Sequence, residues 1–112
     1  MDHRITEILT TIEASFTQAP DVDALAEMSN VSISHLQHLF KEETGKSITQ
    51  HVKQLRLEKA CSLLQTTNLR IKEICYSVGM ADCSHFVRDF KREFGVSPSE
   101  YRNSVITDSR IR

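Results

Sequence analysis

The sequence predicts an all-α protein of about seven helices, in which two helix-turn-helix units are joined by a long linker helix. Three observations lead to this prediction. Apolar residues recur at intervals of three and four along most of the chain, which is typical of amphipathic helices. Asparagine or glycine stands at the two predicted turns. A pattern from the first half returns about fifty positions later, and 112 residues suffice for one domain with a modest helical core.

The repeat relates the two halves of the chain residue by residue. The first copy carries Phe40-Lys41, Glu43, Gly45 and Ser47, and the second carries Phe90-Lys91, Glu93, Gly95 and Ser97. Upstream, Ala26 and Asn30 correspond to Cys75 and Gly79, so the second copy has one extra residue in its turn. Two copies in register indicate a duplicated module.

The first half of the chain predicts three helices. Residues 4–17 place their apolar side chains on one stripe, and we expect this helix to pack on its own domain, with partner binding as the alternative. A second helix over 22–29 can be capped by Asp21, and a third follows a turn and a capping Ser32. The residues of the third helix expected to be buried are Ile33, Leu36, Leu39 and Phe40. The first helix-turn-helix unit is therefore expected at about 21–45.

The second half predicts the linker helix, the second unit and a final helix. The linker helix is expected at about 47–66, and the residues expected on its apolar side are Ile48, Val52, Leu55, Ala60, Cys61, Leu63 and Leu64. The second unit is expected at about 70–95, as two helices on either side of Gly79. A capping serine, a proline and a glutamate then begin a C-terminal helix at about 97–104. Because residues 105–112 show no apolar periodicity, we expect them to form a tail.

Charge is distributed unevenly along the chain. Residues 1–45 contain two basic and eight acidic residues, a net charge of −6. Residues 46–112 contain twelve basic and seven acidic residues, a net charge of +5. Although the overall net charge is −1, the second half of the chain is basic and can contact phosphate groups.

Several classes of protein are disfavoured by composition. No apolar run is long enough to span a membrane and no signal peptide is recognisable, so we expect a cytoplasmic protein. The three cysteines form no C-x-x-C pair, and His35 and His38, which could share a metal, have no acidic or thiolate ligand at suitable spacing. No glycine-flanked nucleophile or phosphate-binding loop occurs. We therefore expect no metal, no cofactor and no enzymatic activity. Cys61 and Cys75 are expected in the core, whereas Cys83, near a helix start, leaves redox sensitivity open.

The second copy carries a specific family motif. Its residues are Ile71-x-x-Ile74-Cys75, Val78-Gly79-Met80, Ser84-His85-Phe86, Phe90-Lys91, Phe94-Gly95, Ser97-Pro98 and Tyr101-Arg102. Over about 22–102 the chain resembles the DNA-binding domain of bacterial AraC/XylS-type transcription regulators. The family usually has alanine at Cys75, phenylalanine at Met80 and a small capping residue at Arg70.

The resemblance implies sequence-specific binding of double-stranded DNA that regulates transcription, most often as an activator that contacts RNA polymerase. A linker helix of about 28 Å would set the distance between two recognition helices on an asymmetric site of about two helical turns. We expect the chain to bind as a monomer, or as a dimer through a domain outside it. The alternative is a protein-interaction module of the same fold that binds little DNA.

The outward faces of the two recognition helices predict the DNA contacts. Base contacts are expected from Ser34, Gln37 and His38 in the first unit and from Ser84, His85 and Arg88 in the second. Phosphate contacts are expected from Lys41, Lys53, Arg70 and Lys91. Glutamine can bond adenine through two hydrogen bonds, and arginine can bond O6 and N7 of guanine. The simpler interpretation of each face is a solvated helix surface.

Overall fold

The structure, a computed structural model, describes residues 2–18 and 20–111, with side chains as far as residue 105. Within these residues it contains seven helices and no strand, which confirms the all-α prediction. The helices are α1 His3–Ser15, α2 Val22–Ser29, α3 Ile33–Thr44, α4 Ile48–Thr66, α5 Ile71–Ser77, α6 Cys83–Phe94 and α7 Pro98–Ile111.

Two helix ends differ from the sequence-based prediction. Helix α1 ends at Ser15 instead of 17, because the chain turns there, with the Gln18 N–H bonded to the Ser15 carbonyl at 3.1 Å. Helix α7 continues to Ile111, so residues 105–111 of the predicted tail are helical. No glycine or proline interrupts that segment, and a helix can continue there without an apolar stripe. Arg112 lies outside the described residues.

The chain forms two compact units, each with a hydrophobic core of its own. The N-terminal unit is Met1–Leu55 and the C-terminal unit is Arg56–Arg112, so the division falls inside α4. The core of the N-terminal unit consists of Ile5, Ile8, Ile12, Leu25, Ala26, Leu36, Phe40, Ile48 and Val52. The core of the C-terminal unit consists of Leu57, Ala60, Leu64, Ile74, Cys75, Val78, Phe86 and Phe90.

The same aromatic contact occurs in both units. Phe40 is fully buried on α3, and its ring centroid lies 5.7 Å from that of His51 on α4. Phe90 is fully buried on α6, and its ring centroid lies 5.8 Å from that of Tyr101 on α7. In both cases the second ring belongs to the helix after the recognition helix. The duplicated module therefore extends into the first turns of α4 and α7.

One residue predicted to face the core is exposed. Ile33, the first residue of α3, retains 40% of its accessible surface. A side chain at a helix start points back beyond the end of the helix, where little covers it. Leu36 and Phe40, one and two turns further along, are fully buried as expected.

Candidate nucleic-acid interface

The turn between α2 and α3 begins with a left-handed residue. Asn30 has φ of 56°, and its backbone N–H is directed at the carbonyls of Ala26 and Glu27. Asparagine tolerates this conformation better than most residues with a side chain. Ser32 then starts α3, because its hydroxyl accepts a hydrogen bond from the His35 backbone N–H at 3.2 Å. The turn and the cap together fix where α3 starts.

The polar face of α3 carries the four residues predicted to contact DNA. Ser34, His38 and Lys41 lie three and four positions apart on one row, with Gln37 beside them, and all four are exposed. The imidazole Nε2 of His38 lies 3.4 Å from the Glu42 carboxylate, one turn further along. The helix therefore presents hydroxyl, amide, imidazole and ammonium groups together on one side, opposite Leu36 and Phe40.

The second recognition helix is built in the same way. Gly79 occupies the turn with φ of 92°, a conformation that favours glycine. Asp82 starts α6 by accepting a hydrogen bond from the His85 backbone N–H at 3.1 Å. Gly95 ends it with φ of 83°, as Gly45 ends α3 with φ of 80°. Both recognition helices therefore follow a turn that contains a left-handed residue, begin at a side-chain cap and end at a left-handed glycine.

The polar face of α6 places Ser84, Arg88 and Lys91 on one row. All three are exposed and lie four and three positions apart. The row corresponds to Ser34, His38 and Lys41 of α3. The first copy therefore has histidine where the second has arginine, while serine and lysine recur.

His85 lies on the neighbouring row of α6. Its Nε2 is 3.6 Å from the Asp89 carboxylate, and Arg92 Nη1 lies 3.8 Å from the same carboxylate. The Asp89 side chain is only 3% exposed, whereas those of His85 and Arg92 are 54% and 80% exposed. Sequence reasoning missed Asp89, because a charged residue on a helix is expected to face solvent. Its i−4 and i+3 basic neighbours were the available signal.

Two predicted phosphate contacts lie outside the recognition helices. Arg70 is exposed at the start of α5, and its backbone N–H donates to the Glu73 carboxylate at 2.9 Å. Glu73 thus starts α5 although Arg70 itself makes no side-chain cap. Lys53 is half-buried on α4 in the N-terminal unit. Neither side chain therefore lies on α3 or α6, the two recognition helices.

Arg102 of the family motif has a structural role. Its guanidinium donates to the carbonyls of Leu64, Thr67 and Leu69 at 3.3, 3.2 and 2.5 Å. These carbonyls belong to the end of α4 and to the segment that follows it, where a helix leaves acceptors without partners. Arg102 therefore fixes α7 against the end of α4 inside the C-terminal unit.

The described residues also bear on other types of site. A cavity of about 170 Å³ in the N-terminal unit is lined by residues such as Ile12, Phe16, Leu25 and Val52, and none of the ten predicted contacts lines it. In the part of the chain that the structure describes, no group of three or more His, Cys, Asp or Glu side chains is arranged to hold a metal ion. None of the described helices is long and apolar enough to cross a membrane.

Comparison with known proteins identifies the class. A family model described as a helix-turn-helix domain matches residues 25–104. The transcriptional activator RhaS of Escherichia fergusonii is 35% identical over 101 residues, 90% of this chain and 36% of RhaS. The transcriptional activator AarP of Providencia stuartii is 34% identical over 100 residues, 89% of this chain and 74% of AarP. The C-terminal domain of AraT, a response regulator from Geobacillus stearothermophilus, is 34% identical with a TM-score of 0.83, over 92% of this chain and 86% of that one.

The fold and these similarities define a DNA-binding domain of a transcription regulator, a class without enzymatic activity. The chain belongs to the AraC family of helix-turn-helix regulators. Nothing in the comparisons supports the alternative of an interaction module. The chain spans about a third of the length of RhaS, and about a third of the length of the similar Msm operon regulatory protein of Streptococcus mutans.

Proposed function

We propose that the chain activates transcription by reading a DNA site with the outward faces of α3 and α6. The observation that carries the proposal is the repeated row of exposed polar residues. Ser34, His38 and Lys41 on α3 correspond to Ser84, Arg88 and Lys91 on α6, and the buried phenylalanines lie on the opposite side of each helix. Recognition helices of this motif enter the major groove with such a face.

In the N-terminal unit, Ser34, Gln37 and His38 are the proposed base contacts. The Gln37 amide can accept a hydrogen bond from the N6 amino group of adenine and donate one to N7, as a bidentate pair. Ser34 and His38 can donate to or accept from base edges, since a hydroxyl and a neutral imidazole each offer both functions. Lys41, a turn beyond Gln37 and His38, is proposed to contact phosphate.

In the C-terminal unit, Ser84, His85 and Arg88 are the proposed base contacts, with Arg88 the principal one. Its planar guanidinium can donate to O6 and N7 of guanine at once. His85 is proposed at the edge of the contact, because it lies one row away beside Asp89. Lys91, Lys53 and Arg70 are proposed as phosphate contacts that fix register without reading sequence.

The proposal extends to the partners of the chain. RhaS and AarP are named as activators, and we propose the same role here, with contact to RNA polymerase. We further propose that one copy binds an asymmetric site of about two helical turns, roughly 20 base pairs, in the cytoplasm. Dimerisation, where it occurs, would use a domain outside these 112 residues.

The experiment is a selection of binding sites from random duplex DNA, followed by a salt titration of the selected site. Four phosphate contacts predict that log K falls with log salt at a slope of roughly −4. Lys41→Ala should reduce that slope by about one. Lys59→Ala is the matched control, because Lys59 is exposed on α4 but is not a proposed contact. A slope near zero with no enriched sequence would instead indicate an interaction module.

A further inference from the structure

The recognition helix α6 contains a buried carboxylate close to exposed basic side chains. Asp89 is buried together with Phe86 and Phe90, and its side chain is only 3% exposed. The imidazole Nε2 of His85 lies 3.6 Å from this carboxylate, and Arg92 Nη1 lies 3.8 Å from it. One buried acid therefore lies beside two basic groups, each of which also reaches the surface of the helix.

The first copy of the module has no acid at this position. The two recognition helices correspond with an offset of fifty, so Leu39 takes the place of Asp89, and Leu39 packs against the core of the N-terminal unit. In the same comparison Glu42 takes the place of Arg92. The module therefore folds without a carboxylate there, and the pairing of Asp89 with Arg92 belongs to α6 alone.

We propose that Asp89 is a positioning residue that increases the sequence discrimination of α6, because it holds His85 in one orientation and keeps Arg92 from contacting DNA phosphates. Since this role concerns DNA, it rests on the proposed function of α6.

The burial of Asp89 is what allows it to restrain Arg92. A buried charge is costly unless opposite charges or hydrogen-bond donors lie beside it, and charges attract more strongly where little water screens them. Movement of the Arg92 guanidinium toward a phosphate would take a cation away from Asp89 and raise that cost. Arg92 would otherwise add a phosphate contact, which strengthens binding to every sequence alike.

The same carboxylate restrains the ring of His85, a proposed base contact. An imidazole that carries hydrogen on Nε2 is attracted to the carboxylate, and this attraction limits rotation of the ring. Hydrogen bonds to base edges need defined distances and angles, so a ring held in one orientation discriminates between base pairs better than one that turns. Both effects of Asp89 favour the selected site over other DNA.

The experiment compares Asp89→Asn and Asp89→Leu with the wild-type chain at one pH. Asparagine keeps the size of the side chain without its charge, and leucine is the residue of the first copy. Each protein is titrated with the selected duplex, its single-base variants and unrelated DNA. Both variants should bind unrelated DNA more tightly, with a salt slope more negative by about one. Asp89→Leu, which offers His85 no acceptor, should lower discrimination at one base pair about tenfold.

Three further variants assign these effects to the neighbours of Asp89. Glu93→Gln is the matched control, because it removes the same charge from an exposed position of α6, and it should change the slope little. Arg92→Ala should keep the wild-type slope, both alone and combined with Asp89→Asn, because no released guanidinium remains. On the background of His85→Ala, Asp89→Leu should lower discrimination no further.

The salt slope and the ratio of affinities separate positioning from a merely structural role. Partial unfolding lowers the concentration of active protein, but it changes neither quantity. An unchanged slope in both Asp89 variants, or unchanged discrimination in Asp89→Leu, would overturn the proposal, as would a slope that steepens equally without Arg92. These results leave the proposed function intact as long as the wild type binds its selected site. A wild-type chain without salt-dependent, selective binding would contradict the proposed function, and this role of Asp89 with it.

Discussion

Arg88 and Lys91 illustrate how two cations on one helix can differ in what they do. Both are exposed on the same row of α6, one turn apart. Arg88 stands in the first half of the helix, the part that enters the major groove, and its rigid fork suits a base edge. Lys91 is nearer the end of the helix and offers a point charge without a fixed direction. We therefore expect Arg88 to read sequence and Lys91 to fix register.

Alanine substitutions at these two positions should separate the roles. Arg88→Ala should cost about 1–3 kcal/mol on the selected site and relax discrimination at one base pair. Lys91→Ala should weaken binding to all sequences alike and reduce the salt slope by about one. Arg92→Ala removes the same charge at an exposed position of α6 that is not a proposed contact, and serves as the control. The measurement is the affinity of each variant for the selected site, its single-base variants and unrelated DNA.

An equal loss on every sequence for Arg88→Ala would make Arg88 a phosphate contact. His38, its counterpart in the first copy, would then be the better candidate for reading.

How far single residues could be predicted depends on whether their role is local. The caps formed by Asp21, Ser32 and Asp82 were predictable, because each bonds a backbone N–H three or fewer residues away. The burial of Asp89 was not, because it depends on packing that sequence spacing does not record. Arg102 donates hydrogen bonds to carbonyls more than thirty positions earlier in the chain, and no local sequence pattern predicts such a contact.

At the scale of elements, the apolar side chains of the linker helix α4 do not form a single stripe along its length. The residues of α4 buried in the N-terminal unit include Ile48 and Val52, and those buried in the C-terminal unit begin at Leu57. The step from Val52 to Leu57 is five residues, which breaks the spacing of three and four. Sequence analysis therefore found the helix but missed Leu57, which is only 2% exposed.

The recognition helices are held by their buried phenylalanines, and this can be tested by thermal or urea unfolding. Phe90 is fully buried and packs against the rings of Phe94 and Tyr101, with centroids 4.7 and 5.8 Å away. Phe90→Ala should cost about 3–5 kcal/mol of unfolding free energy, from lost burial and the cavity left behind. Phe40→Ala should cost a similar amount. A variant that melts close to wild type would contradict the inward face of its helix.

The start of α7 should respond to acid, because its capping box contains a carboxylate. Glu100 accepts a hydrogen bond from the Ser97 backbone N–H at 3.1 Å, and this bond lowers the pKa of Glu100. A lowered pKa in the folded state means that the cap stabilises the fold above the unfolded pKa. The contribution is lost as the pH falls through the folded pKa.

Glu100→Gln should remove this acid dependence and keep the cap, because Gln50 makes the same bond to Ser47 at the start of α4. The measurement is Tm as a function of pH, from neutral to about pH 3, where carboxylates protonate. The wild type should lose more of its Tm on acidification than Glu100→Gln. Gln50→Glu is the reciprocal control and should gain an acid dependence. Parallel curves for all three proteins would contradict the role of the Glu100 carboxylate.

At the scale of the whole molecule, the prediction of the fold depended mainly on the sequence repeat. Repeated phenylalanines, glycines and serines located both recognition helices, because duplicated modules reuse the same local chemistry. The division of the chain into two compact units inside α4 was not expected, because a single continuous helix hides a boundary between cores.

The last prediction concerns the spacing of the DNA site. Helix α4 has 19 residues, a length of about 28 Å, and it runs from one unit into the other. If α3 and α6 read the same duplex, inserting five base pairs at the centre of the site turns its halves to opposite faces. Affinity should then fall to that of the better half alone, a loss on the order of 10²-fold or more. Substituting five central base pairs without changing the length is the control and should cost far less. A palindromic footprint that requires two chains, or an affinity that tolerates the insertion, would contradict reading by one chain.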